Sequence, residues 1–257
     1  MKLLRKAYVG IIFFFLYAPI FVLIALSFNE GKSRANFKGF TFDWYIKMFQ
    51  DSEIMSALAT TIELALISAA IATVFGTVAA IGIHSMRKST KAIAMNISYL
   101  PVSSSDMVTG VSLLMLFVFV KMEAGFATLL IAHVTFNTPY VILSVLPKLS
   151  QLDKNMYEAA LDLGASPWQA YIKVILPEIK PGIITGLIMS ITLSIDDFVI
   201  SYFVGGNGVQ TLSMKIFTMT KRGIRPEINA LSTLMFIVVF ALLLIVNKST
   251  KVKETEL

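Results

Sequence analysis

A chain of 257 residues that is 56% hydrophobic and only 15% charged, with mean hydropathy +0.76, falls well short of the roughly 25% charged residues of a soluble domain. Its net charge of +6 is spread over short segments between apolar runs, so a nucleic-acid-binding face is excluded. The absence of cysteine excludes disulfide frameworks and thiolate metal sites, and two histidines, His84 and His133, are too few for a histidine-built metal centre.

Six apolar stretches, 8–28, 56–83, 93–120, 125–146, 181–204 and 230–246, each approach the ~20 residues a helix needs to cross a bilayer. They predict an all-α polytopic membrane protein with six transmembrane helices in a single domain over 1–257, with no repeat or disordered linker. The first stretch follows "MKLLRK", which resembles a signal-peptide n-region. It is too long for an h-region and lacks an A-x-A site, so it reads as an uncleaved anchor. With the N-terminus in the cytoplasm, 13 of the 22 Lys and Arg lie inside, which places both termini there.

The loop after the first span, "FKGFTFDWYIKMF", sets Trp44 and Tyr45 beside Asp43. It reads either as a cation-handling mouth or docking patch for a solute-binding protein, or as an interfacial aromatic belt. Glu63 falls within the second span. In the third, "SYLPVSSSDMVTGVSLLMLFVF", Pro101 is expected to break the helix, and three serines can bond to the freed backbone. About 14 regular residues remain after the break, roughly 21 Å at 1.5 Å per residue, too short to cross alone. Asp106 would then lie at membrane depth, near the positive end of a half-helix. In the fourth span, "HVTFNTPYVIL", His133 and Asn137 sit one turn apart with Pro139 as a kink, a pattern that suits polar contacts between packed helices.

The fifth span carries "TLSIDDFVISYF". A carboxylate at the centre of a membrane helix costs about 2.5–3.5 kcal/mol, so Asp196 and Asp197 need a reason. Adjacent helical positions point ~100° apart. One of the pair can line a central pathway while the other meets a neighbouring helix or a second subunit, and a buried structural pair is the alternative. Ser194 and Tyr202 lie close by. A cationic solute would offset the cost of such acids, with aromatic faces adding cation–π attraction of ~0.5–2 kcal/mol each.

Between the fourth and fifth spans lies "PKLSQLDKNMYEAALDLGASPWQAYIKVILPEIK", too long for a plain connection and patterned like two short helices. Ser150 and Asp153 have N-cap spacing ahead of a face made by Met156, Ala159, Ala160 and Leu163. Gly164 can take positive φ and close that helix. Ser166, Pro167 and Gln169 form a capping box that starts a second helix, which Pro177 is expected to limit.

The order Glu158-Ala159-Ala160, Gly164, Val174, Leu176-Pro177 resembles the EAA loop of ABC-importer permease subunits, with Val where Ile is more usual. "LYAPIFVLIALSFN", "YLPVSSSDMVTGVSLL" and "SIDDFVISYFVGG" extend the resemblance along the chain to the spermidine/putrescine permeases, on the side of the second permease subunit. The resemblance implies the ABC type I importer permease fold. It implies that residues of about 150–177 seat in a cleft of a cytoplasmic ATPase, with Glu158 pairing to it, Ala159 and Ala160 permitting close approach, Gly164 setting the angle, and Leu176 and Pro177 completing the motif. It also implies polyamine passage past Asp106, Ser194, Asp196, Asp197 and Tyr202, with Trp44 at the mouth. The implied partners are a second permease forming a heterodimer, an ABC ATPase dimer and a periplasmic polyamine-binding protein, in a bacterial inner membrane. "GGNGVQTLSMKIF" would face that receptor. No Walker motif occurs in the chain, so ATP and Mg would be bound by the partner ATPase and no cofactor by this chain. The competing readings are an ABC permease for another small solute or ion, an ion-coupled secondary transporter, and an intramembrane aspartyl protease.

Overall fold

The computed structural model describes residues 2–31, 36–153, 155–206, 208–221 and 226–251, with the side chains of 2–5, 7 and 245–251 excepted. Among these the chain is helical, apart from one isolated bridge between Asn29 and Phe40. In order the helices are α1 (Lys2–Ser27), α2 (Asp43–Gln50), α3 (Ser52–Ser85), α4 (Lys88–Ser103), α5 (Asp106–Phe119), α6 (Phe126–Gln151), α7 (Asn155–Asp162), α8 (Pro167–Ala170), α9 (Leu176–Asp196), α10 (Val199–Val204), α11 (Leu212–Lys221) and α12 (Pro226–Lys251). Five helical segments among the described residues are long and apolar enough to cross a membrane, and α4 with α5, bent by 104°, makes a sixth.

The contacts divide the chain into two compact units, Met1–Leu58 with Leu212–Phe240, and Ala59–Thr211 with Ala241–Leu257. The core of the first holds Trp44, Met48, Ile54, Ala57, Leu212, Ala230 and Leu231. Lys215 of α11 pairs there with Glu53 at the start of α3. The second unit has two apolar clusters. One joins α3, α6 and α9 through Ala80, Val141, Val145 and Ile179, and the other joins α3, α5, α6 and α10 through Leu64, Phe117, Leu129 and Ile200. The approach of α9 to α6 depends on small residues. A Cβ on Gly186 would lie 3.1 Å from the Val141 Cα, and one on Gly182 2.9 Å from the Ser144 carbonyl oxygen.

Four expectations need correction. Pro101 lies inside α4, and the chain turns later, at Ser104 and Ser105. The Ser103 and Ser104 hydroxyls donate to the Leu100 carbonyl at 3.2 and 2.8 Å, so two of the three serines bond backbone as expected. Pro177 does not end the second short helix. A five-residue π-helical stretch, Tyr171–Ile175, precedes it, and Leu176 N–H donates to the Tyr171 carbonyl. This wider turn leads straight into α9, so the helix runs on through Pro177, with the π-helical turn just before it accommodating the missing N–H. Ser150 caps no helix. It belongs to α6 and its hydroxyl donates to the Leu146 carbonyl at 3.0 Å. Finally, the fifth span is broken at Asp197–Phe198, between α9 and α10.

Candidate functional site

The elbow between α6 and α9 is set by local chemistry. Asp153 opens α7, its Oδ1 accepting from Asn155 N–H at 2.9 Å and its carbonyl from Met156 N–H at 3.1 Å. The helix closes on Gly164 at φ 86°, where Ala165 N–H reaches the Ala160 carbonyl at 3.1 Å and Gly164 N–H the Leu161 carbonyl at 2.9 Å. Ser166 then caps α8: its Oγ accepts from Gln169 N–H at 3.3 Å while Gln169 Oε1 accepts from Ser166 N–H at 3.0 Å.

Ala160 and Ala170 are buried, and Tyr157 and Tyr171, whose ring centroids are 5.1 Å apart, pack against the cluster that joins α3, α6 and α9. Glu158, Ala159, Gly164, Leu176 and Pro177 are exposed. So are two large apolar side chains, Leu163 at 90% and Trp168 at 73%. The expected single face of Met156, Ala159, Ala160 and Leu163 is therefore split: Ala160 is buried, while Ala159 and Leu163, one turn apart, are exposed.

The break in the fifth span gives the two aspartates different surroundings. Asp196 ends α9 and is exposed. Asp197 leaves the helix with φ −63° and ψ 123°, and its side chain is 7% exposed. Its Oδ1 accepts from Ile200 N–H at 3.3 Å, and its Oδ2 from Ser201 N–H at 2.8 Å and the Ser201 hydroxyl at 2.7 Å. His133 of α6, fully buried, lies with Nε2 3.1 Å from Ser201 Oγ and 3.6 Å from Asp197 Oδ2.

A second buried polar group ties α3, α6 and α9 together. Asn137 Nδ2 donates to Ser194 Oγ at 2.8 Å, and Ser194 Oγ lies 3.1 Å from Ser68 Oγ. His133 and Asn137 thus make the interhelical contacts expected of them. Ser194 is occupied within this group and buried, not turned to a passage. Asp106 is exposed at the first position of α5. One turn on, Gly110 packs against α10, where a Cβ would lie 3.3 Å from the Ile200 Cα. Tyr202, 52% exposed, has its ring 5.5 Å from that of Phe198. Glu63 is exposed on α3.

Trp44 is a correction. It is 5% exposed in the core of the first unit, its indole N–H donates to the Asn29 carbonyl at 2.7 Å, and Lys47 Nζ sits 4.5 Å from its ring centroid. Its ring is buried and engaged within the chain. The aromatic side chains exposed on that segment are Phe37, Phe40, Phe42 and Phe49. Of the segment expected to face a receptor, Asn207 lies outside the described residues. Reasoning from sequence missed Ser68 and Ser201. Ser201 carried a signal, since it follows Asp197 by four residues, whereas Ser68 carried none.

Residues 72–251 match the family described as binding-protein-dependent transport system inner membrane component. The chain belongs to this family. As such an inner membrane component it is a multi-pass membrane protein, and the protease and ion-coupled readings fall away. It is 37% identical over 248 residues to the spermidine/putrescine transport system permease protein PotC of Haemophilus influenzae, covering 96% of each chain. It is 38% identical over 231 residues to the putrescine transport system permease protein PotI of Escherichia coli, covering 87% of this chain and 82% of that one. Among solved structures, a chain of a bacterial alginate ABC transporter, in complex with an alginate pentasaccharide-bound periplasmic protein, aligns with a TM-score of 0.73 at 18% identity. That alignment covers 97% of this chain and 94% of the other, and it shows the ABC importer permease fold.

Proposed function

We propose that the chain is one permease subunit of an ATP-driven importer that carries polyamines, spermidine or putrescine, across the bacterial inner membrane. The observation that carries this reading is 37–38% identity, extended over most of the chain, to permeases named for those two cations. Exposed carboxylates on helices of the second unit, Asp196 and Asp106, with Tyr202 beside the break, are the side chains a polyammonium chain would meet as it loses water.

The elbow is the coupling element, within one permease domain over the whole chain. Glu158, Ala159, Leu163 and Trp168 form the surface offered to a cytoplasmic ATPase dimer, and Gly164 fixes the angle between α7 and α8. ATP and Mg belong to that ATPase, and the chain itself holds no cofactor. A second permease completes the passage as a heterodimer, a periplasmic polyamine-binding protein delivers the solute, and both chain termini lie in the cytoplasm. The test is uptake of labelled spermidine and putrescine by cells expressing the chain with its neighbouring subunits, against cells lacking the chain alone. ATP-dependent accumulation only in the former supports the reading, and equal accumulation in both overturns it.

A further inference from the structure

The two aspartates of the fifth span are neighbours in sequence, yet Asp197 is buried and Asp196 is exposed. The lone pairs of Asp197 are directed at the first turn of α10: Oδ2 already takes the Ser201 N–H at 2.8 Å and the Ser201 hydroxyl at 2.7 Å, and Oδ1 takes Ile200 N–H at 3.3 Å. Ser201 has a single hydroxyl hydrogen and gives it to this carboxylate. Its oxygen can therefore only accept from His133, 3.1 Å away, which makes Nε2 the protonated ring nitrogen. The other ring nitrogen, Nδ1, is buried without a partner among the described residues, so the imidazole is held from the Nε2 side alone.

The result is a directed chain of hydrogen bonds. It runs from α6 through Ser201 to the two-residue break, where the Asp197 carboxylate takes the Ile200 and Ser201 N–H groups at the start of α10. The Asp197 N–H still donates to Leu193 at 3.0 Å, so α9 completes its last turn and ends with Asp196 exposed.

We propose that Asp197 and His133 are positioning residues: together they fix the break between α9 and α10 and thereby hold Asp196 at the exposed end of α9, where it alone of the pair meets the solute. Capping requires an acceptor oxygen near the N–H groups, not a charge, and asparagine keeps the oxygen that takes the two short Ser201 bonds, giving up only the longer one from Ile200. The role of His133 requires a donor at the Nε2 position, which the glutamine amide can supply. The identity of the solute rests on the permease reading above, whereas the geometry of the break does not.

The chain has no cysteine, so a reporter placed by Asp196→Cys is the one thiol this chain presents. In membranes holding the assembled complex, its labelling rate by a positively charged methanethiosulfonate is measured alone and combined with each of four changes. Asp197→Asn and His133→Gln are expected to leave the rate within about twofold. Asp197→Ala and His133→Leu are expected to shift it roughly fivefold or more, the population change that a lost cap produces. Equal rates in all five proteins overturn the proposal, because position 196 would not depend on the clamp. A shift with Asp197→Asn as large as with Asp197→Ala also overturns it, because charge rather than capping would be at work. The labelling needs no solute, so failure of spermidine uptake by the unaltered complex would count against the polyamine reading and leave this outcome to be judged by itself.

Discussion

One peptide bond separates Asp196 from Asp197, and the interruption of the helix between α9 and α10 gives them different surroundings. Asp197 accepts three hydrogen bonds from Ile200 and Ser201, whereas Asp196 is exposed. Each charge-assisted hydrogen bond is worth about 1.5–3 kcal/mol, so if Asp196 meets the cation as proposed, neutralising it should be felt as tenfold or more. Asp196→Asn is accordingly expected to lower spermidine uptake by about tenfold or more at matched membrane level; unchanged uptake would remove this residue from the pathway. The buried hydroxyls call for the opposite expectation. Hydrogen bonds between membrane helices average about 0.6 kcal/mol, because the separated helices find other partners. Ser68→Ala, which removes one side of the contact with Ser194, should therefore lower unfolding stability by less than about 1 kcal/mol, as measured by denaturation of the purified protein. The adjacency of the two acids was visible in the sequence, but their roles were not. An unbroken helix assigns them faces ~100° apart, and nothing short of the break at Asp197 shows that one has become a cap.

Among the elements, the elbow was the most legible part of the chain because its signals are local. Positive φ at Gly164, the Ser166–Gln169 box and Pro167 at a helix start each act within four residues. Pro177 was misread because a π-helical stretch lets the backbone absorb a proline, and that depends on the packing of Tyr171 and Ile175 rather than on a local motif. The burial of Trp44 was hidden for a similar reason, since its neighbours Leu212, Ala230 and Leu231 lie far along the chain. Two glycines separate turn geometry from packing. A Cβ on Gly164 would meet no atom within 4 Å, so substitution there costs only the left-handed backbone, about 1–2 kcal/mol. Gly164→Trp should leave the protein in the membrane while sharply reducing ATP-dependent uptake, and normal uptake would argue against a coupling role for the elbow. Gly186→Leu, by contrast, forces α9 from the Val141 backbone at a cost of at least about 1–3 kcal/mol. It should reduce the amount of folded protein in the membrane, read by its yield in mild detergent; a normal yield would show that α6 and α9 do not need this close approach.

On the scale of the whole molecule, the fold class was open to reading from composition, since long apolar segments with few charges leave the backbone no alternative to helices in a bilayer. What such segments transport was not readable from hydropathy. The motif around Glu158 and Gly164 pointed to an importer permease, and the polyamine proposal rests on identity to polyamine permeases over most of the chain. The account joins two surfaces of one chain: exposed acids that meet a cation, and an exposed apolar elbow that meets an ATPase. The measurement that tests it most directly is spermidine uptake into proteoliposomes. These would contain the chain, its partner permease and the ATPase, with the polyamine-loaded receptor on one side and ATP on the other. The account predicts accumulation that requires ATP, receptor and this chain together, and that falls when either Asp196→Asn or Trp168→Ala is introduced. Accumulation driven by a proton gradient without ATP, or ATP-driven uptake indifferent to both substitutions, would contradict it.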